Sequence, residues 1–332
     1  MNKNRKKNIV DKQMVDISIL IATKNRPKEL KLLLDSITKS TILPSKLVIV
    51  YSGVDINQIV AEYASILNIE LIKSGIASQI FQKSKGIESL KMQSGWVLFL
   101  DDDVLIDSKA IEILANQYIC NDKYSQYVGF GLAIKNINYR NLNFLSKLLL
   151  YIFKLYTFKP GAITKSGHPQ SYLHQNFDCD VSWLNGISLW RSDVLPTYIN
   201  SDLVVAHSSY EDVIFSYNLS KTNKLRFLSD VIVTSQIQMA PQITSTHQFI
   251  HGSYLRYYFV DKHKEFSKYW LLVAQILRNI EYVFATEDEF SFYSRIKITL
   301  DIWFSLFHAS INKIAGIELI RSKLKNVNSS NF

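Results

Sequence analysis

Three consecutive carboxylates, Asp101, Asp102 and Asp103, stand directly behind the apolar run Trp96 to Leu100. Adjacent carboxylates repel one another unless a cation or water relieves the charge. Oxygen ligands of this kind suit Mg²⁺ or Mn²⁺, which take one or two carboxylates and complete their shell with substrate phosphates. A solvated turn, or an N-cap for a helix starting near Ser108, is the plainer account of the triplet alone. A second acidic pair, Glu211-Asp212, follows Ser209 and Tyr210 and precedes Val213, Ile214 and Tyr217 at helical spacing. Acids in a first helical turn are often only a favourable placement against the helix dipole. Aimed into a cleft, one of them can act as a general base. A third group, Trp183-Leu184-Asn185-Gly186-Ile187-Ser188 with Arg191, combines a glycine that permits close backbone approach with an aromatic face able to stack on a sugar. A strand with a buried tryptophan explains the same residues equally well.

The elements needed to position these groups are visible in the hydrophobic pattern. Val15 to Ala22 is apolar on both faces, as in a central parallel strand. After Thr23-Lys24-Asn25-Arg26 comes Pro27 at a helix start, with Leu30, Leu33, Leu34 and Ile37 at helical spacing. Leu47–Tyr51, Ile69–Ile72 and Trp96–Leu100 read as further strands, separated by helical patterns over Ile56–Leu67 and Ser78–Gln93. Such alternation predicts an open, mainly parallel sheet wound with helices, whose ligands bind at the carboxyl ends of the strands. Thr23–Arg26 and Asp101–Asp103 both fall at such ends. No glycine-rich fingerprint or phosphate-loop lysine follows the first strand, which argues against a dinucleotide dehydrogenase or a P-loop enzyme. A helix over Ser108–Tyr118 and a strand near Tyr127–Ile134 come next. The loop Lys159–Gln175 holds Gly161, Gly167, His168 and Pro169; His168 is a candidate phosphate contact, though a lone loop histidine is usually solvated. Beyond Thr246 the pattern is helical and rich in aromatics, ending in a polar tail after Lys323, and no internal repeat occurs.

Composition narrows the partners. Lysine and arginine number 38 against 29 acids, a formal charge of +9 that favours anions. The basic residues are scattered rather than striped with stacking aromatics, which disfavours nucleic acid and favours a phosphate-bearing substrate and an anionic membrane surface. Cys120 and Cys179 lie far apart and read as reduced thiols, so the expected location is cytoplasmic. Met1 to Val15 is polar and basic, expected to be neither signal peptide nor anchor. Phe144–Phe158, Tyr269–Thr286 and Ile296–Ile320 are apolar but interrupted by Lys147 and Lys154, by Arg278 and Glu281, and by Asp301 and Lys313. They are expected to be amphipathic helices, with Lys147 and Lys154 on one face, that pack on the core or lie on a membrane.

The order of the pieces is more specific than any one of them. Strand, Ala22-Thr23-Lys24-Asn25-Arg26-Pro27, helix, strand with Asp-Asp-Asp, Asn-Gly segment ending in Arg, then Glu-Asp, resembles the family 2 glycosyltransferases of the GT-A fold over about Val15 to His247. It is similar in particular to bacterial transferases that build capsule or lipopolysaccharide, including the basic aromatic stretch Tyr254–His263. The resemblance implies an α/β chain of GT-A type with a helical C-terminal extension. Residues 1–14 would be a tail, 15–115 the nucleotide-sugar half, 116–247 the acceptor half and 248–332 a helical region able to rest on a membrane. It also implies inverting transfer of a sugar from a nucleoside diphosphate donor to a hydroxyl of a glycan or lipid-linked acceptor. Thr23, Asn25 and Arg26 would then lie along the nucleotide with Asp102, and Asp101 near its ribose. Asp103, with Asp101, would hold Mg²⁺ or Mn²⁺. Asp212, or less favourably Glu211, would take the acceptor proton, and Trp183, Asn185, Gly186 and Arg191 would line the acceptor side.

Three departures from the family pattern stand out. An aspartate usual after the second strand is replaced by Val50-Tyr51-Ser52-Gly53, leaving Tyr51 or Asp55 to meet the base. Lys83-Ser84-Lys85 replaces an arginine-asparagine pair before Gly86, which keeps charge but loses the bidentate fork. Ser235 stands where a metal-binding histidine is expected. A transferase-like protein that binds nucleotide or glycan without catalysis is therefore the main rival. A nucleotidyltransferase ranks last, because Thr23–Lys28 lacks the glycine-rich loop.

Overall fold

The computed structural model describes residues 16–90, 95–137, 142–196, 210–239, 246–284, 290–312 and 322–323. In chain order the first half gives β1 (Ile17–Lys24), α1 (Pro27–Thr38), β2 (Lys46–Ser52), α2 (Asn57–Ala61), β3 (Ile69–Lys73), α3 (Gln79–Leu90), β4 (Trp96–Asp101) and β5 (Val104–Ile106). A short α4 (Ala110–Ile113) continues as a π-helical turn through Ile119 and leads to β6 (Tyr127–Ile137). Then come α5 (Phe144–Ile152), β7 (Cys179–Val181), β8 (Ser188–Arg191), α6 (Glu211–Ser220), β9 (Lys224–Met239), α7 (Thr246–Lys262), α8 (Lys268–Val283) and α9 (Phe292–Ile311).

The described strands form one sheet in the order β3-β2-β1-β4-β8-β6-β9-β5, with β7 added on β9. β1 to β4 pair in parallel, as their helical connections require. β8 enters antiparallel between β4 and β6, and β6 pairs in parallel with β9. β1 divides its side chains between two cores: Ile17, Ile19 and Ile21 meet Leu30, Leu33 and Leu34 of α1, while Leu20 faces Ile80 and Ile87 of α3. Pro27 opens α1, and its four buried residues are the ones the sequence spacing selects. Gly86 lets α3 lie close on the sheet; a Cβ there would stand 2.0 Å from Leu20 Cδ1. α7, α8 and α9 pack together, with Phe249 stacked on Tyr282 at 4.2 Å. No helix among the described residues is long and apolar enough to cross a membrane.

Two elements differ from expectation. The helix over Ile56–Leu67 is regular only through Ala61 and continues as hydrogen-bonded turns to Leu67. The helix starting at Phe144 ends at Ile152, and Lys154 takes a left-handed φ of +57°. Lys147 and Lys154 therefore do not share a helical face. Lys154 instead lies over the rings of Tyr151 and Trp270.

Candidate active site

The carboxyl ends of β1, β2 and β4 meet in register, Ala22 beside Asp101 and Thr23 beside Tyr51. Asn25 follows β1 with φ +56°, a conformation asparagine tolerates better than most residues, and its Oδ1 accepts the Val54 N–H at 3.0 Å. Gly53, at φ +82°, leaves room for that side chain; a Cβ there would stand 1.9 Å from Asn25 Oδ1. The loops after β1 and β2 are thus tied together. Asp55 accepts the Asn57 N–H and its side-chain amide, each at 2.8 Å, in the turn ahead of α2.

Of the three aspartates, Asp102 turns inward. It is buried, accepts Thr23 Oγ1 at 2.6 Å and Arg26 Nη1 at 2.8 Å, and acts as a strut between the loop and β4. Burial raises its carboxyl above the ordinary range, against the pull of Thr23 and Arg26. The same Nη1 donates to Asp103 Oδ2 at 2.8 Å. Gln82 on α3 donates to the carbonyls of Thr23 and Val50 at 2.8 and 3.0 Å, fixing the backbone from below.

Asp101 points the other way, toward α3 and α6. Gln79 Nε2 donates to its Oδ1 at 3.1 Å. Gly186 lies against it so closely that a Cβ would be 3.2 Å from Oδ2 and 3.6 Å from Lys83 Nζ. Lys83 donates to Glu211 Oε1 at 3.3 Å, and both side chains are only 7% exposed. Burial works against the lysine's charge, but Glu211, Asp101 and Asp212 outweigh it and hold Lys83 protonated. Asp101 and Glu211 are both pushed up by burial, with Lys83 pulling each back. Asp212, desolvated and beside Glu211, rises from 3.8 to about 7, although its Oδ1 accepts the Val213 N–H at 2.8 Å. Glu211 Oε2 is buried without a hydrogen-bond partner among the described residues. Lys83, Phe99, Asn185, Gly186, Ser188, Glu211 and Asp212 line one recess. A carboxylate poised near neutrality in such a recess has the acidity a general base needs.

Several residues singled out in the sequence lie elsewhere. Arg191 sits opposite Trp96 at the amino end of β4, away from the aspartates, and pairs with Asp193 at 2.7 Å. At the usual rise per strand residue it is roughly 17 Å from the Asp101 end. Tyr51 is 4% exposed in the core around Ile56 and Val60, so its ring has no free face for a base. Trp183 is buried against Tyr172, ring centroids 5.1 Å apart, and packs rather than lines the recess. Gly86 serves the packing of α3 on Leu20, not a ligand. Conversely, Gln79, Gln82, Phe99 and Ser188 join the site unannounced. The four-residue offset of Gln79 from Lys83 was the available signal for Gln79, and Gln82, adjacent to Lys83, had none.

Among the described residues no cluster of three or more His, Cys, Asp or Glu could hold a metal. Ser235 stands in register with Val104, and the neighbouring Gln236 N–H donates to the Asp103 carbonyl at 2.9 Å. The carboxylates of Asp101 and Asp103 nonetheless fit a hard cation completed by phosphate oxygens, since Asp103 is one-fifth exposed (20%) and only its Oδ2 is engaged by Arg26.

Residues 18–169, from β1 through the three aspartates, match the family model for Glycosyl transferase family 2. Over this segment, somewhat under half of the chain, the sequence is similar to that family. Solved structures agree on the fold beyond that segment. S. aureus TarS 1–349 in complex with UDP-GlcNAc is 15% identical with a TM-score of 0.53, covering 94% of this chain and 91% of that one. GalNAc-T7 with UDP, GalNAc and Mn²⁺ is 12% identical with a TM-score of 0.52, covering 77% and 52%. A longer S. aureus TarS structure is 19% identical with a TM-score of 0.50, and this chain spans 44% of its length. The architecture is the GT-A type with C-terminal helices. No curated protein sequence matches the chain.

Proposed function

We propose that the chain is an inverting glycosyltransferase that moves a sugar from a nucleoside diphosphate donor to a hydroxyl of a glycan or lipid-linked acceptor of a bacterial surface polysaccharide. What carries this reading is Asp212, a half-buried carboxylate pushed up to about 7 by desolvation at the head of α6, in one recess with Lys83 and Glu211. Residues 15–115 then form the donor half and 116–247 the acceptor half of one sheet. Asn25, Arg26 and Asp101 lie along the nucleotide, with Thr23 and Asp102 bracing that wall. Asp101 and Asp103 would hold Mg²⁺ or Mn²⁺, which when bound offsets charge developing on the leaving diphosphate. Asp212 accepts the proton of the attacking hydroxyl, and Glu211, tied to Lys83, keeps its neighbour's affinity for that proton high. Asn185 and Gly186 border the space where donor and acceptor meet.

The test is turnover of a nucleotide-sugar panel with Mn²⁺ or Mg²⁺. Asp103→Ala and Asp212→Ala should abolish it; near wild-type rate in Asp212→Ala with the true acceptor refutes the mechanism. Arg26 on Asp103, and Ser235 in the expected histidine position, favour one alternative: nucleotide or glycan binding without catalysis. Calorimetry showing metal-independent binding of a nucleoside diphosphate, with no turnover of any donor, would support it.

The reading includes a place on the cytoplasmic face of an anionic membrane. α5 buries none of its residues, and Phe144, Leu145, Leu149 and Ile152 are each more than half exposed. From Asp122 to Asp178 the sequence has no acid between, but carries Lys123, Lys135, Arg140, Lys147, Lys154, Lys159 and Lys165. An apolar helix in a basic surround suits an anionic bilayer surface. Co-sedimentation with phosphatidylglycerol vesicles should be lost in Leu145→Asp/Leu149→Asp; undiminished binding by that variant sinks the idea.

A further inference from the structure

Behind the first turn of α6, cationic side chains from three parts of the chain act on one another, with little among the described residues to neutralise them. Arg256 of α7 is 8% exposed, and its guanidinium lies over the Tyr210 ring at 5.7 Å. Its Nε is buried and makes no hydrogen bond among the described residues, and the same holds for Nδ1 of His168. Arg278 of α8 is the third member. The positive charges of Arg256 and Arg278 both act on His168, and each arginine is held down in part by burial. Arg256 falls to about 10, from burial first and Arg278 second, with Tyr210 opposing the fall. Among the described residues, Glu281, one turn along α8, is the carboxylate that relieves Arg278.

The cluster is held rigidly. His168 sits on a tight turn in which the Thr164 N–H donates to the His168 carbonyl at 2.8 Å and Gly167 takes φ +78°. A Cβ on Gly167 would be 2.5 Å from Val260 and 3.3 Å from Arg256 Cγ, so glycine is what lets the turn close on α7. The Tyr210 hydroxyl donates to the Gly167 carbonyl. The turn that presents His168 thus also anchors the residue immediately before Glu211-Asp212.

Buried charge without a partner is expensive, and replacing such groups by apolar ones generally stabilises a fold. Here the site keeps two arginines, an imidazole and two unused ring or guanidinium nitrogens together. Arg278 and His168 are each partly exposed, whereas Arg256 is buried. Planar guanidinium donors with an imidazole match the oxygens of a phosphate. We propose that Arg256, Arg278 and His168 form a phosphate-binding site beside the catalytic pair, separate from the aspartates of β4. Which phosphate it takes, one in the donor or one in the acceptor, rests on the transferase reading. That it takes phosphate does not.

The experiment uses the full chain, with thermal shift and calorimetry against inorganic phosphate, UDP and glycerol 3-phosphate. Phosphate should raise the melting temperature of the wild type and of Asp103→Ala alike. Arg278→Gln and His168→Gln, at partly exposed positions, should each weaken phosphate binding at least ten-fold, and Arg256→Gln, if it folds, should do the same. If UDP affinity falls in parallel, the occupant is the donor diphosphate. If UDP binding is kept while glycerol 3-phosphate binding is lost, it is an acceptor phosphate. No phosphate-induced shift in the wild type, or unchanged phosphate affinity in Arg278→Gln/His168→Gln, overturns the site. Because the readout is binding, failure of the transferase reading would show separately, as absence of turnover.

Discussion

Replacing Asp212 by asparagine tests the geometry twice, because the same burial that tunes the base also costs stability. The Asp212 carboxyl is raised from 3.8 to about 7 by burial first and by Glu211 second. Between those values the folded chain holds a proton that the unfolded chain has released, so stability falls as pH rises through this window. The cost is absent below about pH 4 and complete above about pH 7. At about 1.4 kcal/mol per pH unit, the span from 3.8 to about 7 corresponds to roughly 4 kcal/mol, an upper value for one group in a coupled cluster. An asparagine keeps an oxygen for the Val213 N–H but cannot ionise. Taking about 2.1 cal/mol/K of unfolding entropy per residue for 332 residues, the gain is at most about 6 °C in melting temperature. Asp212→Asn should therefore lose turnover yet melt higher than wild type at pH 8, with the difference shrinking toward zero near pH 4. Differential scanning calorimetry across that range is the assay. A variant that melts lower at pH 8, or a difference independent of pH, refutes the account of Asp212 as a desolvated base.

Three other outcomes follow from the same contacts. The wild-type kcat/KM should fall about ten-fold from pH 8 to pH 6, because a base with a pKa of about 7 goes from mostly ionised to mostly protonated, whereas an ordinary aspartate would give a flat profile there. Thr23→Val removes the 2.6 Å donor to buried Asp102 and should cost about 1–3 kcal/mol, measured by denaturant unfolding; no loss would mean that Arg26 alone suffices. Arg191→Ala should leave kcat/KM within about two-fold and change stability by about 1 kcal/mol or less, since it gives up only a surface pair with Asp193; a large fall in activity would return Arg191 to the site.

The part of the fold that a local pattern can encode was readable. Ile17, Ile19 and Ile21 against Leu20 announce a strand buried on both faces, and Leu30, Leu33, Leu34 and Ile37 mark one face of α1. The acids at the end of β4 and at the head of α6 were also readable, because strand ends and first helical turns are marked in sequence. What failed depended on direction and partner. Arg191 follows Gly186 by five residues, which in sequence looks near the site. β8 runs antiparallel to β4, however, so Ser188 pairs with Phe99 while each later residue moves away from the aspartates, to Arg191 at Trp96. Trp183 and Tyr51 have faces suited equally to a ligand and to a core, and packing across the sheet decided for the core. The meeting of His168 with Arg256 and Arg278 joins a turn to two helices far along the chain, which no spacing rule reports.

The position of β4 in the sheet also bears on how the chain is made. Its two hydrogen-bonding neighbours are β1, synthesised before it, and β8, which begins at Ser188. While a growing chain lengthens from Asp101 to Ser188, the strand bearing the aspartates has an open edge with Trp96, Val97, Leu98 and Phe99 along it. Open apolar edges are where partly made chains pair with one another. A chain cut anywhere between β4 and β8 keeps that edge permanently, so such fragments should accumulate as aggregates or chaperone clients rather than as small soluble donor-binding domains.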